Sequence, residues 1–141
     1  MVSKDCLEWL MFAKMDISAA HQLFEKQQNP RHRPTEIILY HCQQGAEKAL
    51  KSFIVQNSGA LPPKTHELQE LRLLCRNWDI HFDSKRLIRH CAFLDPFAII
   101  VRYPQHSLSL DSGHAVRGIR SAKRTYDFVC NHLGLQKTFY Q

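Results

Sequence analysis

The densest run of positive side chains in this sequence is Arg117, Arg120, Lys123 and Arg124. Arg117, Arg120 and Arg124 recur at three- and four-residue steps, so a helix sets them on one face. Guanidinium groups hold phosphate oxygens in bidentate fashion. Such a face suits a phosphate-binding groove, and it also suits a plain solvated helix surface. Lys48 and Lys51 stand one helical turn apart and offer point charges to a phosphate. The competing reading is an i,i+4 ion pair between Glu47 and Lys51. Tyr103, beside Arg102, carries a ring suited to stacking on a base or to filling a core.

The net charge of +6 agrees with a phosphate-bearing ligand, because a positive field raises the local concentration of polyanions. The nine histidines are scattered and form no HExxH or similar metal pattern. The five cysteines, Cys6, Cys42, Cys75, Cys91 and Cys130, are far apart and lack zinc or redox spacing. Each falls on an apolar stripe, where a free thiol acts as a small buried hydrophobe. Neither a metal nor a cofactor is expected.

These side chains need helices to position them. The 141 residues, 44% hydrophobic and 23% charged, suit one globular domain over 1–141. Proline- and glycine-bearing breaks at 29–34, 57–63 and 104–113, and a polar stretch near 79–83, divide the chain. The first segment, about Ser3 to Gln28, places Leu10, Ala13, Ile17, Ala20 and Phe24 on one face, with Ser3 as N-cap. The second, about Thr35 to Gln56, aligns Ile38, Cys42, Gly45, Ala46, Ala49 and Phe53, with Thr35 as cap. Gly45 and Ala46 admit a close neighbouring helix.

The third segment, about His66 to Trp78, aligns Leu68, Leu71, Cys75 and Trp78 behind a Thr65 cap. The fourth, about Ser84 to Arg102, carries Leu87, Cys91, Leu94, Ala98 and Val101, with a kink or break expected at Pro96. Phe97 to Val101 also reads as a short strand, but no second strand exists to pair with it. The fifth, about Ser112 to Leu133, carries Ala115, Ile119, Ala122, Tyr126, Val129 and Leu133. Asp111 or Ser112 caps it and Gly134 stops it. The expectation is an all-α antiparallel bundle of about five helices. No apolar stretch is long enough to span a membrane, and the N-terminus lacks a signal-peptide pattern. A cytoplasmic protein is expected.

Four motifs then occur in order. Gln43-Gln44-Gly45-Ala46-Glu47-Lys48-Ala49-Leu50-Lys51-Ser52 resembles the second-helix signature of HEPN domains. Pro62-Pro63-Lys64-Thr65-His66-Glu67-Leu68 resembles their following turn. Leu94-Asp95-Pro96-Phe97, continuing to Arg102-Tyr103-Pro104, resembles a third stretch, and Ala115, Ala122 and Phe128-Val129 match the closing pattern. The resemblance spans nearly the whole chain. It implies a helical bundle that commonly homodimerises and binds RNA or nucleotide. Many members act as the toxin-like half of a toxin–antitoxin pair with a minimal nucleotidyltransferase. Active members are metal-independent ribonucleases, whereas others serve only as dimerisation and partner-docking modules.

The active members use an arginine and a histidine four to six residues apart. A histidine near neutral pKa moves the proton of the attacking 2′-hydroxyl, and an arginine stabilises the growing phosphate charge. By this resemblance Arg102 and His106 are the catalytic candidates, with Tyr103, Lys48, Arg117, Arg120 and Arg124 as substrate contacts. The Arg102–His106 gap is three residues, one short of the family spacing. Arg102 as a helix-end cap and His106 as a solvated loop residue are the alternative roles. Arg76 and His81 satisfy the family spacing, but away from its usual place. Arg86 and His90 lie one turn apart, as on a polar face.

Overall fold

A computed structural model describes residues 1–100 and 110–140. Arg102, Tyr103 and His106, and Val101 with them, lie outside the described residues. Five α-helices of nine residues or more make up most of what is described: α1 (Lys4–Lys26), α2 (Thr35–Ser58), α3 (Leu68–Arg76), α4 (Lys85–Leu94) and, after the short α5 (Phe97–Ile100), α6 (Ser112–His132). A 3-10 turn, Ile80–Asp83, lies between α3 and α4. No strand occurs among the described residues, and Phe97 to Ile100 is helical. The all-α bundle follows from the apolar stripes, each of which needs a partner to leave water.

Local signals fix several helix ends. Ser3 Oγ accepts from Cys6 N at 3.1 Å. Asp111 caps α6 by accepting from His114 N at 3.0 Å. Gly59 ends α2 in the left-handed region at φ +67°, which an L side chain enters only with strain. Other boundaries differ from expectation. Thr35 is the first residue of α2 rather than its cap, and Pro34 precedes it without a side-chain cap bond. α3 begins at Leu68, because Leu68 N donates to Asp95 Oδ1 at 2.6 Å. Trp78 lies beyond α3 and is 44% exposed instead of buried. The chain breaks at Asp95-Pro96, as Pro96 requires, and α5 is a separate short helix.

Side-chain pairings give the directions of the helices. Ser3 meets Gln56 and Asp16 meets Lys48 and His41, so α1 and α2 are antiparallel. Gly118, early in α6, faces Leu39 and Cys42, early in α2, and Cys130, late in α6, lies near Cys6, early in α1, so α6 is parallel to α2 and antiparallel to α1. Phe93 meets Arg117 and His90 meets Ser121, so α4 and α6 are antiparallel. The core lies between α1, α2 and α6, with Ile17, Ile38, Leu39, Leu50 and Val129 fully enclosed. Gly45 permits the close α1–α2 approach expected of it, since a methyl there would stand 2.5 Å from Ile17 Cγ1. All five cysteines are buried and free. Burial pushes their thiols up, to about 12 for Cys91 and about 11 for Cys130, so they pack rather than react.

Candidate functional site

Antiparallel packing of α4 on α6 concentrates positive charge along one seam. The buried side of α4 is Leu87, Cys91 and Leu94, which leaves Arg86 and Arg89 exposed and His90 at the margin. α6 buries Ala115, Gly118, Ser121 and Ala122, which leaves Arg117, Arg120 and Arg124 exposed. His90 Nδ1 lies 3.0 Å from Ser121 Oγ across the seam. Burial, and then the charges of Arg124, Arg89, Arg117 and Arg86, hold the imidazole below its ordinary value of 6.5. His90 is therefore neutral at pH 7.

Aromatic rings orient the flanking arginines. The Arg117 guanidinium lies 4.2 Å from the centroid of Phe93, and that of Arg124 lies 4.2 Å from the centroid of Tyr140. Tyr140 is itself held by Asp127, a buried carboxylate that accepts from the backbone N–H of Thr138 and Phe139 at 3.1 Å and of Tyr140 at 2.6 Å. The result is a cleft of about 190 Å³ whose lining includes Arg86, His90, Arg124, Lys137 and Tyr140. Stacked guanidinium groups keep their edges available for oxyanions. A neutral imidazole beside them can accept or pass a proton.

The structure gathers only some of the residues singled out in the sequence. Arg124 lines the cleft, whereas Arg117 lies over Phe93 further along the seam and Arg120 is exposed on the same helix. Lys123 turns away, with Nζ 2.9 Å from His21 Nδ1 on α1. Lys48 lies elsewhere: its Nζ is 2.6 Å from Asp16 Oδ2, beside a cavity of about 800 Å³ bounded by α1, α2 and Leu61. Lys51 is buried, not solvated, and takes the i,i+4 pairing, 3.1 Å from Glu47 Oε2. Arg76 and His81 do not converge; they pair with Asp83 and Asp79 respectively.

The α2 signature residues have structural partners. Glu47 Oε1 lies 2.9 Å from His66 Nδ1, and Gln43 Nε2 donates to the His66 carbonyl at 2.8 Å. These bonds fasten the turn that leads into α3. Gln44 donates to Gln43 at 2.8 Å within α2. Every buried side-chain nitrogen and oxygen among the described residues has a hydrogen-bond partner. Sequence reasoning passed over Arg89, Ser121 and the Asp127 anchor. Arg86, Arg89 and His90 sit at helical spacing, but nothing local shows that this face meets α6.

The HEPN domain family model matches residues 6–133. Among solved structures, the chain is similar to TT1696 from Thermus thermophilus, with a TM-score of 0.67, 19% identity, and 92% of this chain and 98% of that one covered. It is also similar to ST0689, an archaeal HEPN homologue, with a TM-score of 0.65, 21% identity, and coverage of 91% and 97%. At these identities the likeness concerns the fold. No curated protein matches the chain.

Proposed function

This chain belongs to the HEPN domain family, and from that premise we propose that it binds the phosphates of RNA or a nucleotide in the α4–α6 cleft. The observation that carries the reading is a cleft lined by Arg86, Arg124, Lys137 and the half-buried His90, with Arg89 and Arg117 exposed on the two helices that form it. Two guanidinium groups and a lysine in one cleft favour a polyanion, and Tyr140 in its lining offers a ring for a base. The family's toxin-like ribonuclease activity is the catalytic form of this proposal. In that form Arg102 and His106 supply phosphate stabilisation and proton transfer, with Tyr103 beside them, and no metal takes part.

Binding is tested by titrating a labelled single-stranded RNA oligonucleotide at several salt concentrations. Affinity should fall with salt, and Arg117→Ala/Arg124→Ala should flatten the slope of log affinity against log salt by about 0.7 for each phosphate contact removed. An unchanged slope would place the RNA elsewhere. Cleavage is tested in EDTA with the wild type, Arg102→Ala and His106→Ala. Intact RNA after incubation with the wild type would leave a binding protein rather than a nuclease.

A second reading, a non-catalytic docking module, is favoured by one face of α1. Leu7, Met11 and Met15 recur every four residues and are 47%, 53% and 58% exposed, with Phe12 beside them at 50%. A stripe this apolar suits an interface, either of a homodimer or with a nucleotidyltransferase partner. Sedimentation of Leu7→Glu/Met11→Glu against the wild type distinguishes the two cases: a dimer lost in the variant supports a homodimer through this face, and an unchanged mass removes the homodimer and leaves the partner of different sequence.

A further inference from the structure

The turn before α4 and the last turn of α6 bring together three side chains from distant parts of the sequence: Asp79, His81 and His132. Asp79 opens the 3-10 turn, and its Oδ1 accepts from His81 N at 2.9 Å. The tight turn folds the His81 ring back onto the same oxygen, with Nδ1 2.8 Å away. The other carboxylate oxygen lies 3.0 Å from His132 Nδ1. The two imidazole centroids are 5.2 Å apart and inclined by 31°. One ligand atom from each residue lies within 4.8 Å of the others.

The site has a built floor. Phe82 is fully buried beneath it. The His132 ring packs 4.2 Å from Phe128 and 5.9 Å from Phe82, centroid to centroid, which fixes its orientation. His132 and Asp79 side chains are about one-fifth exposed, whereas that of His81 is 73% exposed. Two ordered ligands and one adjustable ligand therefore face a single point. Zinc bonds nitrogen at about 2.0–2.1 Å, so ligand atoms around a tetrahedral ion stand about 3.4 Å apart. The two nitrogens already stand 2.8 and 3.0 Å from the carboxylate, close to that spacing, and His81 is the exposed member of the set.

We propose that Asp79, His81 and His132 bind a divalent cation of the zinc class. Two imidazoles and one carboxylate suit zinc, cobalt, nickel or copper better than calcium or magnesium, which prefer all-oxygen cages. On binding, the ion takes the place of the Nδ1 proton that each ring shares with Asp79; that proton leaves to solvent or is replaced by one on Nε2, so that each ring coordinates as a neutral imidazole and binding weakens as pH falls. A water fills the fourth position on the open side. The ion ties the turn after α3 to the end of α6, one helical turn from Phe128 and next to Asn131, both of which line the basic cleft. It acts as a clasp on the bundle and lies outside that cleft.

The test uses the full chain stripped of metal and titrated with zinc by calorimetry, then with cobalt, whose visible absorption reports tetrahedral coordination. The expected result is one saturable site per chain. His81→Gln and His132→Gln should each weaken it tenfold or more, while His32→Gln, in the exposed loop between α1 and α2, leaves it unchanged. His81 is exposed, so its variant keeps the fold even where His132→Gln does not, and circular dichroism checks both. Absence of saturable zinc binding, or binding that survives in His81→Gln at wild-type affinity, overturns the proposal.

Discussion

The α1–α2 contact offers a quantitative test of how this bundle is packed. Gly45→Ala places a methyl 2.5 Å from Ile17 Cγ1, 3.2 Å from Ile17 Cδ1 and 3.1 Å from the Ala13 carbonyl oxygen. None of these neighbours yields readily. The carbonyl belongs to the α1 backbone, and Ile17 is fully buried and held to one main rotamer by its β-branch. Overpacking of this kind costs about 1–3 kcal/mol, and the fixed neighbours put this position toward the upper end. The helix propensity of alanine over glycine returns about 1 kcal/mol. The net expectation is destabilisation by about 1–2 kcal/mol, or about 3–8 °C in Tm for a domain of this size. The assay is denaturant unfolding followed by circular dichroism, with Ile17→Ala and the double variant completing a cycle. Ile17→Ala alone should cost about 2–5 kcal/mol, and the double variant should cost at least about 1 kcal/mol less than the two singles combined. A Gly45→Ala protein as stable as the wild type, or an additive cycle, would refute the close-approach argument.

Two further substitutions test the walls of the cleft. Asp127→Asn should release the tail: amide exchange at Thr138, Phe139 and Tyr140 should rise, with a stability loss of about 1.5–3 kcal/mol from the charge-assisted bonds, and unchanged exchange at those amides would show another anchor. The folded pKa of His90 lies below 6.5, so the unfolded chain binds more protons in the window just below that value, and this residue's contribution lowers stability as pH falls from 6.5 to the folded pKa. In His90→Gln that part of the pH dependence should disappear. Phosphate binding to the wild type should also strengthen on acidification through the same window, as His90 gains charge, and equal affinities at pH 5.5 and 7.5 would contradict it.

Much of the bundle is legible in the sequence because its determinants are local. Ser3 and Asp111 cap the helices that follow them, and the three- and four-residue apolar steps of α1, α2 and α6 correspond to buried faces. The start of α3 is not legible, because its first N–H is satisfied by Asp95, 27 residues away. The Glu47–Lys51 pair reads from its i,i+4 spacing, but nothing local shows that the fold buries both side chains. The arginine face of α6 is visible as a pattern, but its partners on α4 are not. A polar face of α4 looks the same whether it meets water or a second basic helix. The meeting of Asp79 with His132 likewise spans 53 positions and has no sequence signature.

The Asp127 anchor also has a practical side. Because it holds the backbone of Thr138 to Tyr140 against α6, and because Lys137 and Tyr140 line the cleft, anything covalently joined after position 140 begins at the mouth of that cleft. An affinity tag or fused reporter placed there would lie in the path of an entering ligand and pull on the ring beneath Arg124. The same attachment at the N-terminus would extend from beside Ser3 and Gln56, at the α1–α2 end of the molecule. Comparing the two fusions separates access to the cleft from the integrity of the fold without changing a single cleft residue.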